Sequence, residues 1–293
     1  MIDIHFIVNP IAGSGKNSFS ELFLQDYFEA DRYNITIKSS GYKGHAIDLT
    51  NESILQKADV IVACGGDGTI NEVASTMVGS TIPLGIIPIG SGNGLAANLS
   101  IPKPIKKALY IIKNHHITTI DVGCVNQRYF FSNAGFGFTA NVIGNYEAFQ
   151  KRTLMCYIKA SLKSFQQFSK KDSILIAIDG KTEVLNPFLI FVSNSNVMGY
   201  HMSLTPKASL QDGLLDVVIV PKINKLKMLI FGGLMLFKKP ELLKEVKCYQ
   251  TKSLTLVRQQ GEVFESQMDG ELSNIKDVTL SISIKKNALN VLV

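Results

Sequence analysis

With 293 residues the chain is long enough for about two domains of ordinary size. Hydrophobic residues at 46% supply a core for each, and charged residues at 18% are too few for a disordered chain. The formal net charge of +6 suits phosphate-bearing ligands, nucleic acid or an anionic membrane surface without choosing among them.

Residues 1–8, MIDIHFIV, read as a strand that enters the fold at once, with no basic leader before an apolar segment. The strand Ile4–Val8 is followed by helical spacing over Ser18–Ala30, with Phe19, Leu22, Phe23 and Tyr27 on one face, and by a strand at Ile35–Ser39. A helix is expected over Ala46–Gln56, a strand over Asp59–Ala63, a helix from Asn71 to Met77 and a strand over Pro83–Ile87. This alternation predicts an α/β domain over 1–120 with a parallel sheet. From Asp121 to Val293 short strand-like runs take over: Tyr129–Ser132, Ser173–Asp179, Phe188–Val192, Leu215–Val220, Ser253–Val257 and Val278–Ile284. Asp-Gly turns punctuate them, and helical insertions fall near 140–168 and 223–239. The second domain is therefore expected to be β-rich, antiparallel and sandwich-like, with the closing segment, about 285–293, returning to the first domain. Cys64, Cys124, Cys156 and Cys248 form no CxxC motif and are expected to be reduced and mostly buried.

Glycine-rich turns follow the first, third and fourth strands: Asn9-Pro-Ile-Ala-Gly13-Ser-Gly-Lys16, Gly65-Gly66-Asp67-Gly68-Thr69 and Gly90-Ser91-Gly92-Asn93-Gly94. In a parallel sheet such turns gather at one edge, where glycine lets backbone N–H groups approach phosphate oxygens and helix N-termini add positive charge. The first turn fails the Walker A pattern, because Pro10 stands where its first glycine should be and Asn17 follows the lysine. Singly, the first and third turns read more readily as ordinary strand-to-helix connections than as phosphate loops. In the middle turn an acid stands between glycines, which suits Mg²⁺ coordination or activation of a nucleophile better than turn formation.

GGDGTINEV (65–73) resembles the signature of the diacylglycerol kinase catalytic domain, which is shared with sphingosine, ceramide and bacterial lipid kinases and more distantly with NAD kinases and phosphofructokinases. NPIAGSGK (9–16), SGYKGHA (40–46), PIGSGNGLA (88–96), Ile120-Asp121, SNAGFGF (132–138), PKASLQDGLLDV (206–217), MDGE (268–271) and KNALNVLV (286–293) follow in the family's order. The resemblance implies ATP held between the two domains by Asn9, Gly13, Lys16, Ser40, Gly65, Gly66, Gly68, Thr69, Glu72, Gly90, Ser91 and Asn93, with Asp121 on the substrate side. Two positions depart from many bacterial members: Gly94 stands where they have Asp, and Thr139 follows GFGF where they often have Asp.

Phosphoryl transfer needs positioning, charge neutralisation and a group that takes the hydroxyl proton. Asp67 in the first domain and Asp269 with Glu271 in the second are the candidates, and the residues leave open which is the base. Residues two apart on an extended stretch share a face, so Asp269 and Glu271 could hold one Mg²⁺ or raise each other's pKa; the bland alternative is a hairpin turn. Asp212 and Asp216, with a backbone carbonyl such as that of Leu215 between them, offer oxygen ligands to a hard cation, and the resemblance implies a structural Mg²⁺ there.

Lys222–Lys247 holds seven lysines and two glutamates around the apolar run Met228–Phe237. It reads equally as an interfacial helix on anionic lipid, with Lys225, Lys227, Lys238 and Lys239 as contacts, and as a helix capping a β-domain core. The apolar run is about half of the roughly 20 residues that span a bilayer. The expected protein is thus an ATP-dependent kinase of a membrane lipid, cytoplasmic and peripheral at the inner face of the membrane. Its expected partners are ATP, the lipid and an anionic membrane surface; a homo-oligomer is allowed and nucleic acid is not expected. The alternatives are a soluble-substrate kinase of the NAD kinase type and a non-catalytic nucleotide-binding regulator.

Overall fold

A computed structural model of the chain describes residues 1–13, 20–90, 92–149, 153–167, 173–196, 203–259 and 263–293. It divides into two compact units, Met1–Val122 with Lys286–Val293, and Gly123–Lys285.

In the first unit the strands are β1 (Ile2–Val8), β2 (Tyr33–Ser39), β3 (Val60–Gly65) and β4 (Leu84–Pro88), alternating with α1 (Glu21–Gln25), α2 (His45–Leu55), α3 (Asp67–Met77), α4 (Gly94–Asn98) and α5 (Ile105–Asn114). The strands pair in parallel in the order β2-β1-β3-β4. β1, β3 and β4 are nearly continuous apolar runs because helices cover both faces of such a sheet; Phe6, Ile61, Val62 and Ile87 are fully buried. The order reverses between β1 and β3, the position at which open α/β sheets place ligands beyond the carboxyl ends of their strands.

The chain leaves this unit inside β5 (Ile117–Val125) and returns inside β16 (Thr279–Leu292). The return is held by the amide of Gly79 on the Ala288 carbonyl, by Asn290 on the Thr81 carbonyl, and by one parallel pairing, Val291 with Leu84.

The second unit contains β6 (Arg128–Phe130), β7 (Asn133–Gly137), α6 (Phe138–Glu147), α7 (Leu154–Gln167), β8 (Ile174–Ile178), β9 (Lys181–Leu185), β10 (Pro187–Ser193), β11 (Leu215–Pro221), α8 (Lys225–Leu236), β12 (Lys247–Thr251), β13 (Ser253–Arg258), β14 (Phe264–Met268) and β15 (Glu271–Ile275). One antiparallel sheet runs β12-β11-β10-β7-β14-β15; the other joins β16, β13, β8 and β9. Phe130, Phe136, Ile176, Ile190, Val217 and Leu280 pack together as the core of this sandwich. The alternate residues of β10 and β11, among them Phe191 and Val218, face the other way and are covered by α8.

Several expected boundaries shift. α1 is five residues and ends well before Ala30; Ser18 and Phe19 of the expected helix lie outside the described residues. α3 begins at Asp67 rather than Asn71, so Asp67 belongs to a helix and not to a free turn. β7 is a strand despite two glycines, because the place of a Gly135 side chain is taken by Thr139 and Gln267. All four cysteines are free; Cys64 and Cys124 are buried, Cys156 is partly so and Cys248 is exposed, fewer buried than expected. Among the described residues no helix is long and apolar enough to cross a membrane.

Candidate active site

At the carboxyl ends of β1 to β4 the polar side chains of the glycine-rich turns are engaged with one another. The carboxylate of Asp67 receives the amide N–H of Asn93 at 2.8 Å on Oδ2 and that of Gly94 at 2.5 Å on Oδ1. These N–H groups open α4, so Asp67 caps that helix from a different loop while favouring the dipole of its own helix. Asn93, buried and left-handed at φ 59°, turns its amide back on Gly90: Oδ1 accepts the Gly90 N–H at 3.0 Å and Nδ2 donates to its carbonyl at 2.6 Å. Its backbone is engaged as well, the N–H on Asp67 and the carbonyl by the N–H of Ala97, so Asn93 chiefly shapes the loop.

The glycines have specific partners here. A Cβ on Gly90 would stand 2.5 Å from the Gly66 Cα, and one on Gly92 would stand 2.5 Å from Asp67 Oδ2. On Gly65 it would run into Thr69 at 2.6 Å. These glycines let the second and third loops lie backbone against backbone.

The other loops are tied in as well. Asn9 donates from Nδ2 to Thr69 Oγ1 at 3.1 Å and receives the Ile11 amide on Oδ1. Ser40 donates its amide and its hydroxyl to the Val8 carbonyl. Glu72 accepts the N–H of Gly44, a left-handed glycine at φ 92° that begins α2, at 2.9 Å. Gly13 is left-handed too, at φ 67°. Gly68 lies in the first turn of α3, whose N-cap, Gly66, has no side chain with which to close the helix end. Lys16 and Ser91 lie outside the described residues. Sequence reasoning passed over Gly44, Gly92 and Gly94 as site residues; the signal was their membership of the quoted motifs.

Asp121 is fully buried, and its Oδ1 accepts the N–H of Asn287 at 2.7 Å, so it holds the returning C-terminal segment.

In the second unit Asp269 and Gly270 form the β14–β15 hairpin turn, both at positive φ (50° and 84°), as two-residue hairpin turns require. The Asp269 carboxylate points back into the chain. Oδ1 accepts the amides of Ser132 at 2.7 Å and Asn133 at 3.1 Å, and Oδ2 accepts that of Phe131 at 2.9 Å. Gln267, from the adjoining strand, bridges Asn133 Oδ1 and the Gly270 amide. Asp269 is thus both a turn residue and the keystone of the 131–133 segment; Ser132 and Asn133 stand in the quoted SNAGFGF, whereas Phe131 and Gln267 lie outside every quoted motif. Glu271, half-buried, opens β15 on the far side of the turn.

Asp212 accepts the Leu214 amide in a local turn at 2.9 Å, and Leu215 and Asp216 open β11. Burial pushes the Asp216 carboxyl up from its ordinary range; the Gln250 amide and Lys207 oppose this, and the charge of Asp212 adds to it. Among the described residues no three His, Cys, Asp or Glu side chains cluster as a metal site. Two carboxylates that repel one another nonetheless suit Mg²⁺, which keeps several waters and needs one or two carboxylates. Asp216→Asn should raise the melting temperature in metal-free buffer by a few degrees, because it removes a disfavoured buried charge, a gain of about 1 kcal/mol. Added Mg²⁺ should then stabilise the wild type and not the variant. Equal response of both proteins in differential scanning fluorimetry would remove this pair from consideration as a metal site.

Residues 3–125 match the diacylglycerol kinase catalytic domain, and residues 132–293 match the YegS C-terminal NAD kinase beta sandwich-like domain. The chain belongs to the diacylglycerol kinase family. It is 30% identical over 273 residues to the diacylglycerol kinase of Bacillus subtilis strain 168, covering 90% of this chain and 88% of that one. It is 29% identical over 275 residues to that of Staphylococcus saprophyticus, covering 90% and 87%. The crystal structure of a diacylglycerol kinase from Bacillus anthracis str. Sterne shares the fold, with a TM-score of 0.78 at 22% identity over 99% of this chain and 96% of that one.

Proposed function

We propose that the protein transfers the γ-phosphate of ATP to the hydroxyl of a membrane lipid: diacylglycerol, a sphingoid base or a related lipid. The observation that carries this reading is the stitched crest of the first unit, in a chain that belongs to a kinase family. Asn9, Glu72 and Asp67 bind four loops to one another, so the crest is held in shape before any ligand arrives. A preformed set of N–H groups at the uncapped start of α3 then meets the phosphates without first being ordered.

ATP brings the transferable phosphoryl group, and Mg²⁺ bound with it offsets the charge of the phosphate oxygens. Gly13 and Lys16 of the first loop and Ser91 of the third belong to the same proposed phosphate site. Glu271 is the proposed acceptor of the lipid hydroxyl proton, because the Asp269 carboxylate is occupied by three backbone N–H groups. In this reading the protein is cytoplasmic and touches the membrane peripherally.

Radiolabelled ATP supplied with mixed micelles, each containing one candidate lipid, should yield one labelled lipid on chromatography. ATP turnover should rise when that lipid is present. Labelling of NAD in place of every lipid would establish a soluble-substrate kinase. Nucleotide binding without turnover on any acceptor would establish a non-catalytic regulator.

A further inference from the structure

The apolar helix α8 has two distinct faces. Phe231 is buried, and Met228, Leu234 and Met235 pack with it against Phe191, Val218 and Val220 of the outer sheet face. Leu226, Leu229, Ile230 and Phe237 form a second stripe at helical spacing, and Leu226, Leu229 and Phe237 are 68%, 65% and 76% exposed. The helix therefore serves the core with one side and leaves the other bare.

A second helix repeats the arrangement. α7 packs on α6 through Ala160, through Tyr157 against Tyr146 at 5.6 Å between ring centroids, and through Ser164, which accepts from Asn145 at 2.8 Å. Its other side exposes Leu154, Met155, Ile158 and Leu162. α6 and α8 share this side of the sheet, since Phe138 at the start of α6 stacks on Phe188 and packs into the clusters under both α7 and α8. Bare apolar stripes on two helices of one unit are unusual for a surface that meets only water.

Charge selects the occupant. Neither α7 nor α8 contains an acidic residue. Exposed lysines flank the stripes: Lys159 and Lys163 on α7, and Lys222, Lys238 and Lys239 at the ends of α8. Lys227, named above as a contact, is instead paired with Glu245, and the Lys225 side chain lies outside what is described. A second copy of the chain docked face to face would set these lysines against their own kind. A bilayer rich in anionic lipid satisfies both features, taking the apolar stripes at the headgroup boundary and the lysines among the headgroups.

We infer that α7 and α8 together form a docking platform by which the second unit rests on an anionic lipid surface. The inference draws its purpose from the lipid-kinase reading, and its test separates the two. Wild type should sediment with vesicles of phosphatidylcholine and phosphatidylglycerol, less with phosphatidylcholine alone, and less again as salt is added. The triple variant Leu229→Glu/Ile230→Glu/Phe237→Glu, and separately Met155→Glu/Leu162→Glu, should each weaken binding by at least about tenfold. These side chains are exposed, so circular dichroism and turnover of a dispersed short-chain lipid should match wild type. Wild-type sedimentation by both variants would overturn the platform, as would a wild-type dimer in light scattering that the variants split without any vesicle binding. Vesicle binding lost in the variants, with no lipid phosphorylated by the wild type, would support the platform and remove the kinase reading. Turnover of dispersed lipid by a protein that binds no vesicle would overturn the platform alone.

Discussion

Asp67→Asn is expected to lower kcat/KM for ATP by about a hundredfold while the protein stays folded. The wild-type carboxylate holds the third loop with one oxygen on Asn93 N–H and the other on Gly94 N–H. Asparagine keeps one acceptor and turns an amide donor toward the second N–H, so a bond is lost and two donors face each other. A hydrogen bond to a charged group contributes roughly 1.5–3 kcal/mol, and a tenfold rate change corresponds to about 1.4 kcal/mol, which gives the expected size. Gly92→Ala should act in the same direction with Asp67 intact, since its Cβ would stand 2.5 Å from Asp67 Oδ2. The acid of the middle turn was singled out because turn formation does not require one. The geometry supplies a requirement, the clamping of a neighbouring loop, and a positioning role is what we propose for Asp67. ADP binding measured by calorimetry without Mg²⁺ separates the roles. A clamp predicts weakened metal-free binding in Asp67→Asn, whereas a pure metal ligand predicts no weakening. A variant that keeps more than about a tenth of wild-type kcat/KM would remove both.

Asp269→Ala is expected to cost about 4 kcal/mol of stability. It strips acceptors from the N–H groups of Phe131, Ser132 and Asn133, all buried residues, at roughly 1–3 kcal/mol for each group left unsatisfied, with partial compensation by relaxation. It also places alanine at a φ of 50°, which aspartate tolerates better. For a chain of this size the melting temperature should fall by roughly 8–16 °C. Asp269→Asn keeps the turn preference and one acceptor oxygen and should fall between the two. A melting temperature within about 3 °C of wild type for the alanine variant would mean that 131–133 does not depend on this carboxylate. Loss of turnover in an Asp269 variant therefore reports first on the fold. Glu271→Gln is the cleaner probe of proton acceptance.

Much of the architecture was legible because its signals are local. The apolar runs of β1, β3 and β4 and the helical spacing of α2 betray parallel β/α units, and Asp179-Gly180 and Asp269-Gly270 mark two hairpins of the second unit. The order of the glycine-rich turns along the chain also carried the family.

What the tertiary structure alone decided is which atoms each motif residue meets. Gly90 and Gly66 are 24 positions apart in the chain, yet their lack of side chains is one requirement, the contact between two loops. Asp121 and Asn287 are joined over a separation of 166 residues, and Asp269 reaches 131–133 over about the same span as Gln267 reaches Asn133. No periodicity encodes such pairs, because periodicity reports a residue's own helix or strand and not its long-range neighbours. α8 makes the same point: a helix apolar all round gives no hint of which side is core, and only the packing of Phe231 under the bare Leu226–Phe237 stripe distinguishes them.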